Sequence, residues 1–381
     1  MARLKYWVWL SCVGGVRPIT KYRLCEAMDG PEKLFFAGRD EILAAGATEA
    51  EADRLADKSM AGASRAISSC AERGITILTL QDATYPERLR NIPDPPVVLY
   101  VWGQLPAVDE HLLIAVIGTR RPSPYGMRMA AKLGGELTEG GGIVVSGLAE
   151  GCDSAAMEAA LRAGGRTVGV LGTAIDVVYP AKHRSLFEAV KANGALVSEY
   201  APGMRTFPAD FKARNRIISG LSVGVVVAEA PIRSGTRVTA NFALDQGRDV
   251  FAVPGNADAA SMAGCNDLLA HGAIVTTCGA DIFAEYRSRN DLLPQKMTAT
   301  PIKKEIDKPK DIVYIDLSEA PENLPADQRA ILRAMTRSEM HADEIIEATG
   351  LPAAAALAAL TMLQVTGYIT QSAGRRYTRK Q

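Results

Sequence analysis

From Leu112 onward the chain alternates between apolar, β-branched runs and stretches of helical period. The runs are LIAVIGT, GIVVSG, RTVGVLGT, GALVSEY, VGVVVAEA, DVFAVPG and AIVTT. Each has strand length, and none shows the in-out alternation of a half-solvated strand. Continuous apolar strands separated by helices predict a parallel sheet covered on both faces. The expected fold is therefore an α/β, doubly wound, mostly parallel sheet over residues 112–292.

The flanking pattern differs. Residues 1–75 read as helices: apolar positions recur at helical spacing through Ala47–Arg73, and Gly14-Gly15, Gly30 and Gly38 punctuate the pieces. The piece CVGGVRPITKYRLCEA places a glycine turn between two helical stretches, a small helical domain of SAM or helix-hairpin-helix type. The amides of such a turn can meet a phosphate, although such a turn more often only packs helices. Residues 76–111 form a proline-rich connector with short strands (ITIL, VVLYVWG). Residues 293–324 are polar, charged and proline-bearing, which predicts a linker. Residues 325–381 offer helix, helix, a Gly-Leu-Pro turn, helix and then the hairpin candidate YITQSAGRRYTR, the order of a winged helix.

With 381 residues the chain exceeds one ordinary core, at roughly 100–200 residues per domain. Its 48% hydrophobic and 23% charged content excludes a disordered chain. Lys+Arg and Asp+Glu are equal at 43 each, so any nucleic-acid contact must come from local clustering of charge. The six cysteines show no CxxC and the four histidines no HxxxH, so neither a disulfide framework nor a metal site is expected. The apolar N-terminus MARLKYWVWLSCVGG lacks an A-x-A cleavage pattern and reads as a first helix. Ala348–Gly374 carries no charge, yet Pro352, Gln364 and Gly367 make a packed pair of short helices the better reading than a membrane span. The expectation is a cytoplasmic protein without membrane contact.

In open α/β sheets ligands bind outside the carboxyl ends of the strands. The first strand exits into Gly118-Thr119-Arg120-Arg121, directly before a helix; glycine, free amides and two arginines suit an anion. A tight turn with surface arginines is the structural alternative. Neither GxGxxG nor GxxxxGK[ST] is present, so no dinucleotide or P-loop cofactor is expected. The second strand exits through Ser146-Gly147 toward Asp153, which can cap the next helix. Beyond the fourth lie Tyr200, Phe207, Phe211-Lys212, Arg214, Asn215 and Arg216, with bases for phosphates and the three aromatics available to stack; a solvated helix start is the alternative. The fifth leads to Ser234-Gly235-Thr236 at a helix start, again a phosphate cradle. Between Arg205 and Arg248 there are seven bases and three acids, so the neutral total conceals a basic rim.

Together VIGTRRPSPYG, SGLAEGCDSAA, GTAIDVVYP, ARNRIISGLS, SGTRVTANFALDQGRDVFAVPG and GCNDLLAHGA resemble, in order over about 112–285, the DNA-processing family DprA, also called Smf. The connector TYPERLRNIPDPPVVLYVWG is similar to that family as well. The resemblance implies a Rossmann-like core that binds single-stranded DNA and forms a homodimer through that core. It also implies delivery of the strand to the RecA recombinase in natural transformation, without catalysis or cofactor. On the family pattern Arg120 falls on the arginine of a Gly-Ser-Arg anion pocket, with Thr119 in place of serine. Ser146 and Gly147 fall on its Ser-Gly turn, Arg214-Asn215-Arg216 on its Arg-Asn-Arg, and Ser234-Gly235-Thr236 on its Ser-Gly-Ser/Thr. Glu150 replaces a common Lys or Arg, and Met157 a usual His.

Two other readings compete. A nucleotide-binding, phosphoribohydrolase-like enzyme shares this Rossmann variant, but its PGG-x-GT-x-x-E signature needs an acid one turn into the helix. Arg233–Thr239 supplies none. A sequence-reading transcription factor would need polar and basic residues on its recognition helix. Ala353–Val365 is almost entirely alanine and leucine, which suits packing against protein.

Overall fold

The computed structural model describes residues 3–287, 324–335, 340–366, 368–372 and 376–379. Of the expected linker 293–324, all but Leu324 falls outside the described residues. Residues 1–301 and 302–381 form two compact units.

The first unit opens with six helices: α1 (Leu4–Cys12), α2 (Pro18–Ala27), α3 (Pro31–Phe36), α4 (Arg39–Ala44), α5 (Glu49–Leu55) and α6 (Ala61–Arg73). The continuous helical period of Ala47–Arg73 is thus interrupted between α5 and α6. There follow β1 (Ile75–Thr79), α7 (Glu87–Arg90), β2 (Val98–Gly103) and β3 (Leu113–Ile117). The chain continues through α8 (Pro124–Glu139), β4 (Ile143–Ser146), α9 (Cys152–Arg162), β5 (Thr167–Leu171), α10 (Arg184–Ala192) and β6 (Gly194–Ser198). It closes with α11 (Pro208–Leu221), β7 (Gly224–Val227), α12 (Gly235–Asp245), β8 (Asp249–Ala252), α13 (Ala263–Ala270), β9 (Ile274–Val275) and α14 (Gly279–Tyr286).

The nine strands among this unit's described residues form one sheet in the order β1-β2-β6-β5-β4-β3-β7-β8-β9. The strands from β6 to β9 run parallel and are joined by helical crossovers; the apolar residues of β3 to β8 are buried on both faces, while the edge strand β9 is partly exposed. The two connector strands differ from a free-standing connector: β2 pairs antiparallel with β6, and β1 with β2. They extend the sheet, and one apolar cluster runs from Trp7 in α1 to Tyr286 in α14 without a gap. The helices of 1–75 therefore share a core with the sheet. Ser11 Oγ on α1 lies 2.7 Å from the Tyr100 hydroxyl of β2, a buried polar seam between helix and strand.

Strand order reverses at β3. The chain winds outward through β4, β5 and β6, then returns to β7 on the other side of β3. This reversal opens a crevice at the carboxyl ends of β3 and β7.

The second unit contains α15 (Ala326–Ala334), β10 (Met340–His341), α16 (Ala342–Thr349), α17 (Ala353–Val365), β11 (Ile369–Ser372) and β12 (Arg376–Arg379). The strands form a three-stranded antiparallel sheet in the order β10-β12-β11, and the helix order is that of a winged helix. The uncharged α17 buries Ala359, Leu360 and Leu363 against Ile331, Leu332 and Ile345. Among the described residues no single helix is long and apolar enough to cross a membrane; α16 and α17 together have the composition but bend by 115°.

Candidate nucleic-acid interface

The crevice is a cleft of about 400 Å³ lined from four strand exits. Gly118, Thr119 and Arg120 come from the β3 exit, Asp153 from α9, and Phe211, Lys212, Arg214 and Asn215 from α11. Arg233, Ser234, Gly235 and Thr236 come from the β7 exit. Beside it lies a second cleft of about 210 Å³, bordered by Arg120, Arg121, Gly147, Glu150, Tyr179, Phe211 and Arg214. Arg120, Phe211 and Arg214 belong to both.

The N-termini of α8 and α12, which follow the β3 and β7 exits, differ. At α8, Pro124 opens the helix and Ser123 caps it, its Oγ accepting from the Gly126 amide at 3.1 Å. The anion there is supplied by the chain itself. Glu229, fully buried after β7, accepts from the Ser123 amide at 3.0 Å and from Ser123 Oγ at 2.9 Å. Gly126 is required because a Cβ would collide with that carboxylate. The sequence reading of α8 as an open anion site is therefore corrected: Glu229 fills it. Likewise the Gly118 amide donates to Asp153 Oδ1 at 3.3 Å, and Gly147 to Asp153 Oδ2 at 3.2 Å. Asp153 does not cap α9; it ties the β3 and β4 exits together. Burial pushes its carboxyl up from the usual range, against the pull of Arg214 and of the two amides.

At α12 the N-terminus is open. Ser234 occupies the N-cap position without a side-chain bond to the helix, and its buried Oγ has no hydrogen-bond partner among the described residues. The space a Gly235 Cβ would take is open, and the Gly235 and Thr236 amides have no protein acceptor among the described residues. Orphan amides, the positive end of the helix and an unused hydroxyl together make an anion seat.

The cations divide into two classes. Arg120, Arg121, Lys212 and Arg233 are exposed and have no carboxylate partner among the described residues. Arg214 is 5% exposed; it donates through Nη1 to the carbonyls of Gly147, at 2.9 Å, and of Val170, and through Nε to Asn215 Oδ1 at 3.2 Å. Gly147 leaves room for the guanidinium, since a Cβ would sit 2.6 Å from Nη2. Burial pulls the Arg214 pKa down to about 10, with the charge of Arg120 adding to it and Asp153 opposing. Arg214 thus forms the floor of the site.

Two expected site residues leave it. Arg216 is 2% exposed and grips Glu199 with both terminal nitrogens, at 3.0 and 2.9 Å, while Nε reaches the Asp94 carbonyl at 2.8 Å. Burial works against its charge, but Glu199 and Asp94 outweigh that and hold its pKa above the ordinary value. Ser146 is fully buried, and its Oγ donates to the Val116 carbonyl at 2.7 Å, joining β4 to β3. Of the aromatics, Phe211 packs against Tyr179 with ring centroids 4.9 Å apart. Sequence reasoning misses Tyr179 as a stacking residue; its place in a Tyr-Pro pair at the third strand exit is the available signal. Tyr200 lies elsewhere, between α2 and the start of α11. Glu150 is neutralised by Lys182 at 2.9 Å, and Met157 is core.

An open, mostly parallel sheet with a basic cleft at its switch point defines the class: a Rossmann-like α/β protein whose cleft has the chemistry of an anion site. Comparison gives the family. The model for DNA recombination-mediator protein A matches residues 76–287, and the DprA winged helix domain matches residues 316–375. The chain belongs to the DprA/Smf family. It is 33% identical to Protein Smf of Synechocystis sp., over 98% of both chains. It is 41% identical to DNA processing protein DprA of Streptococcus pneumoniae, over 55% of this chain and 73% of that one. The solved structure of the S. pneumoniae protein superposes with a TM-score of 0.64 at 33% identity, covering 74% of this chain and 97% of that one. A DNA processing protein A of Helicobacter pylori, described for its single-stranded DNA binding mode, gives 0.51 at 30% identity, covering 56% and 96%.

Proposed function

We propose that the protein binds single-stranded DNA across the switch-point cleft and delivers it to a RecA-type recombinase. The observation that carries the reading is the open α12 N-terminus, with its unused Ser234 hydroxyl, on the same cleft as the unpaired Arg120. One phosphate sits on Ser234, Gly235 and Thr236. Arg120 forks onto the next, with Lys212, Arg121 and Arg233 along the backbone path. Gly118, Thr119, Gly147, Arg214 and Asn215 shape the wall, and Phe211 with Tyr179 offers a face to a base. Stacking is worth roughly 1–3 kcal/mol per base and accepts any base, so little sequence preference is expected.

The role is binding, not catalysis: Asp153, the carboxylate on the cleft wall, is buried and held by two amides. The likeness to the H. pylori protein supports the choice of strand, and the description of the matched family as a recombination mediator supports delivery to a recombinase. Self-association through the Rossmann-like unit is part of the proposal. The sheet ends at β9, an edge strand of two residues whose Val275 is 54% exposed, and unpaired edges seek partners. Such a role belongs to the cytoplasm. The test is a titration with a labelled single strand against a duplex competitor of equal length. A duplex cannot stack an unpaired base, so the single strand should win by at least about tenfold, the equivalent of about 1.4 kcal/mol. Equal competition would refute the reading.

A further inference from the structure

A third cleft, of about 660 Å³, lies on the helical segment of the first unit. It is lined by the Val13-Gly14-Gly15 turn between α1 and α2, by Arg54 of α5, by Arg65 of α6 and by Phe207. Phe207 is the residue before α11, and α11 supplies Phe211 and Lys212 to the switch-point cleft. Phe207 is 54% exposed, and the Arg205 guanidinium stands 5.4 Å from its ring centroid. An exposed phenylalanine with an arginine on its face thus stands between the two clefts.

The charges are of two kinds. Arg54 and Arg65 have no carboxylate partner among the described residues, and the stem of Arg54 lies along the turn, with Nε 3.5 Å from where a Gly15 Cβ would be. The acids of the same cleft are engaged: Asp53 accepts from Arg39 Nε at 2.7 Å, and Asp57 accepts from the Ser59 amide at 2.9 Å. The amides of Gly14, Gly15 and Val16 have no protein acceptor among the described residues. Unpaired arginines, unused amides and an exposed ring are the complement of a phosphate backbone with unstacked bases.

We propose that this cleft is a second single-strand site, and that DNA leaving the switch-point cleft crosses Phe207 onto the helical segment. A base stacks on the face of Phe207 away from Arg205, and the following phosphates meet Arg54, Arg65 and the glycine turn. The inference rests on the strand reading of the switch-point cleft and lengthens its path. It requires that affinity grow with strand length beyond what the first cleft can hold.

The test compares oligothymidylates of about 6 and about 20 nucleotides, below and above the span of one binding module. In the parent, the longer strand should bind more tightly. Arg54→Gln with Arg65→Gln keeps both stems, and so their packing, while removing the charges. This double variant should bind the short strand within about twofold of the parent and the long strand at least about tenfold more weakly. Its salt dependence on the long strand should also flatten, by about 0.7 in slope for each phosphate no longer neutralised. Phe207→Ala should weaken the long strand alone. The proposal is overturned if the double variant binds the long strand like the parent, or if the parent gains nothing from length. It is equally overturned if a long duplex competes as well as the long strand. Arg120→Ala separates the two sites. If it weakens the short strand while the double variant changes nothing, only the second site is lost. If it leaves the short strand unaffected, the first site falls.

Discussion

Arg214 and Arg216 stand two residues apart on α11, and the helix sends them to different fates. The cleft-facing positions are Pro208, Phe211, Lys212, Arg214, Asn215 and Ile218, one stripe at helical spacing. Arg216 lies off that stripe and meets Glu199 and Asp94. Removing one partner of a buried pair leaves the other charged and unpaired, at a cost of about 3–5 kcal/mol. Arg216→Ala should therefore lower the urea midpoint sharply, while the fraction that remains folded binds single strands with parental affinity. Loss of affinity without loss of stability would return Arg216 to the interface. Ser234 is the opposite case. Its hydroxyl has no hydrogen-bond partner among the described residues, so Ser234→Ala should leave Tm unchanged or slightly raised. A hydrogen bond to a charged group contributes about 1.5–3 kcal/mol, and strand affinity should fall within that range. A drop in Tm with unchanged affinity would show the hydroxyl to be structural.

At the scale of elements, the strands and the helical tail were legible because burial on both faces and helical period both leave a pattern in sequence. All seven apolar runs are strands, and the Ala353–Val365 helix stands as expected. The loop residues that reach the cleft were legible from strand-exit position and residue type. What the sequence could not reveal was pairing over distance. Glu229 reaches a helix start 106 residues earlier, and Asp153 bridges two loops; no local signal marks either. The role of β1 and β2 was hidden for the same reason, since antiparallel pairing to β6 depends on an element about 95 residues away.

The helical segment has its own long-range tie. Glu51 on α5 accepts from Arg17 Nε at 2.9 Å, from Thr20 Oγ1 at 2.9 Å and from the Thr48 amide at 3.1 Å. The Arg17 bond, with the amides, holds its carboxyl well below the usual range, although burial opposes. A pKa lower when folded than when unfolded stabilises above the unfolded value and is lost as pH falls through the folded one. Acid should therefore unfold the protein progressively below the ordinary carboxylate range, and Glu51→Gln should flatten that limb of a stability–pH curve while lowering stability at neutral pH. An unchanged acid limb would remove Glu51 as its source.

Over the whole molecule, 43 basic and 43 acidic residues cancel. Affinity for a polyanion must then come from where charge is left unpaired, and many of the arginines are engaged internally, as with Arg17, Arg39, Arg214, Arg216 and Arg237. At the switch point Arg120 remains without a carboxylate partner among the described residues, bordering both clefts there. The direct measurement is single-strand affinity of Arg120→Ala across a salt series, with Tm recorded alongside. The account predicts unchanged melting, affinity weaker by about 1.5–3 kcal/mol, and a salt slope shallower by about 0.7 for the one phosphate left without its arginine. A variant that melts normally, binds like the parent and keeps the parental salt slope would contradict the placement of the strand at this crevice.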